Sequence, residues 1–272
     1  MSGFGAEEVR RRFAEEARSE RPDLSLLCLL VGAAGDPTLG EDGVDAAQVL
    51  LDELAGQLPY RPGSPAAWAE ALRKLLGGRY GFGGTPVDYR LLESSLLHRV
   101  LERRRGLPIL LSVVWMEVAR RAGAPVYGVA APGHFVVGLG TGAERVLVDP
   151  FDGGRVLDGL EAGASGGAVD ESLLVPAEPL AVVGRVLNNI RSWAGSRLER
   201  SDVALWAVEL ALLLPSHPAR LRYERGQVLV RRGEFVAGAE EMEAYAELVE
   251  VVDEGLAERV RGEARGARAL LN

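Results

Sequence analysis

The chain has 272 residues, a formal net charge of −8, 47% hydrophobic residues and 26% charged residues. That length suits one large domain or two modest ones with a sizeable core, and the acidic balance argues against a nucleic-acid partner, which needs a basic surface. A single cysteine, Cys28, rules out an intrachain disulfide and a cysteine-cluster metal site; with no signal-peptide pattern and no apolar run of ~18 residues, the cytoplasm is the expected location, with no membrane, cofactor or metal.

In chain order, residues 6–34 read as helical with a break at Pro22, and Gly32 to Gly43 as a turn-rich loop. Residues 44–58 carry apolar positions at helical spacing, and Pro59 to Pro65 interrupts them. Ser64-Pro65 then opens a helix over about 65–76, with Ser64 as N-cap and Pro65 in the first turn. Gly77 to Gly84 reads as a flexible glycine-rich loop. It does not follow a strand, so its glycines do not form a phosphate cradle. A short helix is expected over 91–102 and a longer one over 108–122. In the latter, Leu111, Val114, Trp115, Val118 and Ala122 recur at three- and four-residue steps, Pro108 fits the first turn and Gly123 the C-terminal cap.

Strands are expected at about 126–130, 134–139, 145–149 and 155–157, the last after the Asp152-Gly153-Gly154 turn. The Gly-, Ala- and Glu-rich stretch that follows reads as a linker. From Pro179 on the pattern is helical, over roughly 179–195, 201–213, 218–231, 235–250 and 253–270. Gly226, Leu229, Gly233, Phe235, Gly238, Met242 and Tyr245 look like one tetratricopeptide repeat, whose length is ~34 residues. A step of that length sets Ala204 opposite Gly238 and Ala211 opposite Tyr245, as a second, degenerate unit would; a plain helical bundle is the alternative.

Four stretches together are similar to bacterial transglutaminase-like proteins of the SirB type: His98 to Ser112, Glu117 to Arg121, Pro132-Gly133-His134-Phe135 and Asp149 to Gly154. The resemblance is sharp over about 98–157 and loose elsewhere, and it implies an α+β fold. That fold is a transglutaminase-like (papain-like) core with a small antiparallel sheet and N-terminal helices over 1–158. A linker over 159–178 and an all-α tetratricopeptide-like region over 179–272 would follow. Such enzymes build a Cys-His-Asp triad from a helix and the strands after it. Carried over, His134 matches the His and Asp149 the Asp, while Pro108 falls where active members place Cys.

A proline has neither a side-chain nucleophile nor a backbone N–H to offer an oxyanion. Ser112, one turn along from Pro108, is the candidate substitute nucleophile, unless its hydroxyl bonds back to a helix carbonyl. Cys28, among Leu26, Leu27, Leu29 and Leu30, reads as a core thiol. Pro108, Gly133, Phe135, Phe151 and Asp152 are the candidate binding residues. The leading functional expectation is a non-catalytic module that binds a protein or peptide partner. An acyl-transfer or hydrolytic enzyme using His134 and Asp149 with Ser112 or another nucleophile, or a structural scaffold, are the alternatives. Oligomeric state is not legible.

Overall fold

A computed structural model describes residues 4–60, 63–131, 134–157, 175–195 and 197–270. The segment read as a linker lies outside the described residues as far as 174, and so does Gly133. Contacts group the chain into two compact units. One comprises Met1–Val9 with Glu20–Val186, the other Arg10–Ser19 with Leu187–Asn272.

In chain order the helices up to the sheet are α1 (Ala6–Glu16), α2 (Leu24–Gly35), α3 (Gly40–Gly56), α4 (Pro65–Leu72), α5 (Leu97–Arg103) and α6 (Pro108–Arg121). A π-helical stretch, Arg73–Arg79, continues α4, and 3-10 turns occupy Pro86–Arg90 and Leu92–Ser95. The sheet has strands β1 (Val126–Ala131), β2 (His134–Leu139), β3 (Val146–Asp149) and β4 (Arg155–Leu157), in that spatial order and antiparallel throughout. Helices α7 (Pro179–Ala194), α8 (Ser201–Leu213), α9 (Arg220–Arg231), α10 (Phe235–Val249) and α11 (Glu254–Ala269) follow. This is the expected α+β core followed by an all-helical region.

Helix α6 is the axis of the first unit. Every residue from Pro108 to Ala119 is buried, as expected of a helix that is apolar nearly all round. Trp115 is fully enclosed and meets Phe82 edge-on at 6.0 Å between ring centroids. One charge travels with this face: buried Glu117 takes a 2.7 Å bond from Arg120 and lies 3.6 Å from Arg121, so its charge is compensated. The helix stops in a Schellman cap. Gly123 is left-handed at φ 86°, its N–H bonds the Arg120 carbonyl, and the Ala124 N–H bonds the Ala119 carbonyl. Pro108 stands in the first turn and Ser64 caps α4 through the Ala67 N–H at 3.2 Å, both as expected.

Three expectations are corrected. The stretch 32–43 is not a loop: α2 runs to Gly35 and α3 starts at Gly40, leaving a four-residue connection. The Asp36 carboxylate takes up the Thr38 N–H and hydroxyl there, which tightens the turn. The stretch 77–84 is not a free loop. It continues the π-helical turn, buries Phe82, and pairs Gly83 with Arg105 in a β-bridge. The expected 91–102 helix begins only at Leu97, after the two 3-10 turns. Buried Asp88 holds those turns: its carboxylate bonds the Thr85 N–H at 2.8 Å, the Thr85 hydroxyl at 2.9 Å and the Ser94 hydroxyl at 3.2 Å.

Beyond β1, Pro176 bridges Val129 and the Ala177 N–H bonds the Gly128 carbonyl at 2.8 Å, which covers the sheet edge. In the second unit α8 packs on α9, α9 on α10 and α10 on α11. Helix α10 starts 34 residues after α8, and α11 starts 34 after α9, the spacing of a tetratricopeptide unit.

Candidate functional site

The strand alternation of β2 sorts its side chains onto two faces. Phe135 looks toward α6: a Cβ built on Gly128 would lie 2.6 Å from the Phe135 ring and 2.9 Å from the Met116 sulfur. His134 therefore leaves the strand on the other face, the one that carries Val136, Val129, Leu147 and Leu157 as a small apolar cluster. Asp149 at the end of β3 shares that face. The His134 Nε2 lies 2.9 Å from Asp149 Oδ2, and both side chains are largely covered. A carboxylate only accepts, so Nε2 supplies the hydrogen of this bond.

Asp149 divides its two oxygens. Oδ2 holds the imidazole, and Oδ1 accepts the Phe151 N–H at 2.9 Å, capping the 3-10 turn Pro150–Asp152. The same turn brings the Phe151 ring edge-on to His134 at 6.3 Å. Tyr89 meets the Phe151 ring at 5.9 Å. Burial and the charge of Asp149 push the Tyr89 hydroxyl above its ordinary range, which keeps it protonated at neutral pH.

The glycine-rich stretch grips this turn from outside. The Gly84 N–H bonds the Phe151 carbonyl at 2.9 Å, and a Cβ on Gly84 would overlap the Phe151 ring at 1.9 Å. A Cβ on Gly77 would sit 2.0 Å from the Gly153 carbonyl oxygen. These glycines are packing surfaces for the turn that carries Asp149. From α7, the Arg185 guanidinium lies 3.5 and 3.4 Å from the carbonyls of Ala131 and His134 and over the Phe135 ring at 5.7 Å. It braces the end of β1 and the start of β2, where His134 stands.

The other candidate residues divide in two. Phe151 and Asp152 are beside the pair on its turn, with Asp152 held by Arg155 at 2.7 Å. Phe135 is 1% exposed and faces the core, and Pro108 is buried at the head of α6. The Ser112 hydroxyl donates at 3.2 Å to the Phe135 main-chain carbonyl on β2, where a bond within its own helix was the sequence alternative. It is fully buried, so its proton is committed on the α6 side of the strand. Cys28 is 1% exposed, and burial, with the charges of Glu117 and Asp23, pushes its thiol far up, away from thiolate chemistry. Sequence reasoning missed Tyr89 and Arg185, neither of which belongs to a motif.

A second His–Asp pair shows what a structural one looks like. His98 Nε2 lies 3.1 Å from Asp36 Oδ2, joining α5 to the end of α2. Burial pushes the His98 imidazole down, its Nδ1 is enclosed, and a Cβ on Gly32 would touch that nitrogen at 2.6 Å. No open face adjoins it, whereas the His134 pair is flanked by half-exposed Tyr89 and the Phe151 turn. No group of His, Cys, Asp or Glu among the described residues could hold a metal ion. No helix there is long and apolar enough to cross a membrane.

The Asp149 bond carries an expected result. Asp149→Ala removes the acceptor of both the His134 ring and the Phe151 N–H, and unpairing such covered groups costs on the order of 1–3 kcal/mol. The His134 imidazole nitrogen shifts should move once the bond is lost, as read by NMR. Unmoved shifts would mean that the pair is not bonded in solution.

Comparison with known proteins agrees with this layout. Residues 45–188 match the transglutaminase-like superfamily, and residues 190–272 match the tetratricopeptide repeat. A UPF0162 protein of Xylella fastidiosa is 33% identical over 188 residues, covering 65% of this chain and 66% of the relative, so the chain spans just under two thirds of that relative's length. The human F-box only protein 21 is 35% identical over 116 residues, 43% of this chain and 17% of the relative. Among solved structures, menin superposes with a TM-score of 0.52 at 14% identity, covering 96% of this chain and 68% of menin; its crystal structure is described as revealing the binding site for Mixed Lineage Leukemia protein.

Proposed function

Since the chain belongs to the transglutaminase-like superfamily and carries tetratricopeptide repeats, we propose that it is a non-catalytic protein-interaction module. In this reading the surface around His134 recognises a peptide or protein segment, and the helical repeats add a docking face. The observation that carries it is the head of α6. Acyl transfer through a covalent intermediate needs a thiolate or an activated hydroxyl there. Pro108 offers neither, the Ser112 proton is given to a main-chain carbonyl, and Cys28 is a buried, protonated thiol.

His134 and Asp149 then act as a fixed polar pair. The imidazole leaves Nδ1 outside its bond to Asp149, and half-exposed Tyr89, its hydroxyl protonated, packs against the Phe151 ring. Such a group suits a partner's backbone N–H or amide and an apolar side chain. A protein of this fold, menin, is described as binding another protein. That description supports the direction of the proposal without naming this chain's partner.

The test is covalent labelling of the native protein. Iodoacetamide should leave Cys28 unmodified until the chain is unfolded, and a fluorophosphonate should leave Ser112 unmodified. Fast modification of Cys28 that depends on His134 would overturn the proposal. Labelling of Ser112 would establish the enzyme reading in its place.

A further inference from the structure

The helical unit holds a cavity of about 290 Å³ between the end of α7, α8 and α9. Its floor is apolar: Ala204 and Val208 from α8 and Val228 from α9. Its walls are cationic. Arg191, Arg220 and Arg231 line it against one carboxylate, Glu224.

That carboxylate is already shared. Arg191 donates Nη1 to Glu224 and Nη2 to the Asn188 side chain at 2.9 Å, and Arg220 lies 3.9 Å from the other oxygen of Glu224. Arg231 has nothing: among the described residues it makes no hydrogen bond and no ion pair, and its Nε is buried without a partner. The Arg191 Nε is also buried and unpaired. A part-buried guanidinium left unmatched is costly, because desolvation is not offset by an opposite charge. Asn188, Ser192 and Gln227 at the cavity add neutral donors and acceptors suited to an extended backbone.

The geometry points to a binding site for the glutamate side chain of an acidic segment in a partner protein, with Arg231 taking its carboxylate. The methylenes of such a side chain fit the Ala204–Val208–Val228 floor, and its carboxylate fits a planar fork of donors. A bare inorganic anion would leave that apolar floor unused. This rests on the reading of the repeats as a docking face, and it names the chemistry they select.

The experiment uses the full chain and an acetylated, amidated pentapeptide of alternating glutamate and serine, titrated by NMR, with the glutamine isostere as control. The glutamate peptide should shift resonances around Val228 and Arg231 saturably, and the glutamine peptide should bind at least about tenfold more weakly, as for loss of one charge-assisted pair. Arg231→Gln should cost a similar factor while keeping the melting temperature, since no native bond is removed. Arg220→Gln, at the rim, should weaken binding by less. Equal affinity for the two peptides, or unchanged affinity in both variants, overturns the proposal. So does inorganic phosphate that displaces the peptide at equal concentration, because the site would then be a general anion site. None of these outcomes bears on the labelling at Cys28 and Ser112, which reads the first unit, so the two proposals fail separately.

Discussion

Gly77→Ala should destabilise the first unit by about 1–3 kcal/mol, while Gly78→Ala, one residue on, should not. A Cβ at Gly77 would stand 2.0 Å from the Gly153 carbonyl oxygen and 2.8 Å from its carbon, which are backbone atoms. At Gly78 the nearest atom is the Arg73 carbonyl at 3.6 Å, an ordinary contact. Alanine there restricts the unfolded chain and is neutral or slightly stabilising. The carbonyl that Gly77 meets belongs to the turn whose cap is Asp149. The Gly77 variant should therefore also move the His134 ring signals. Chemical denaturation of the two variants side by side checks the first claim and imidazole NMR the second. Equal melting of both variants would show that the close approach does not exist in solution.

The second large effect is expected at Gly238. Helices α9 and α10 cross where Gly226 and Gly238 face each other: a Cβ on either would lie 2.8 Å from the other's carbonyl oxygen. At Gly238 the Val230 side chain would be 2.6 Å away as well. Gly238→Leu must separate the helices, at about 1–3 kcal/mol of overpacking. It also disturbs the apolar cluster of Ala239, Met242, Tyr245 and Ala246 behind it. Gly266→Leu on α11 is the control, because no atom comes within 4 Å of its Cβ position. If Gly238→Leu unfolds at the denaturant concentration of the wild type, the helix contact assigned to it is wrong.

Element boundaries were legible where a local cause sets them. Ser64-Pro65 starts a helix because the hydroxyl caps an N–H that the turn leaves free, and Gly123 ends one because it alone adopts the left-handed cap easily. The four strands follow from alternation and from the turn residues between them. The stretch 32–43 misled because its glycines and proline mark a turn of only four residues between two helices that run through the outer glycines. The stretch 77–84 misled because composition reports a glycine's freedom, not its use. Here Gly77 and Gly84 are small so that another segment can come close. The His134–Asp149 pair was visible through its flanking turns. Tyr89 and Arg185 were not, since they reach the site from elements 45 and 51 residues away from His134, and only folding joins them.

The π-helical stretch Arg73–Arg79 has a consequence for how this protein can vary. The wider turn accommodates one residue more than an α-turn would, and Gly77, which lies within it, is the residue that meets Gly153. Removing one residue between Leu72 and Leu76 would close the wide turn into an α-turn and leave the residues on either side in nearly the same phase. In this part of the chain, composition is held more tightly than length: the turn can absorb the loss of a residue, but the approach to Gly153 leaves no room for a side chain at Gly77.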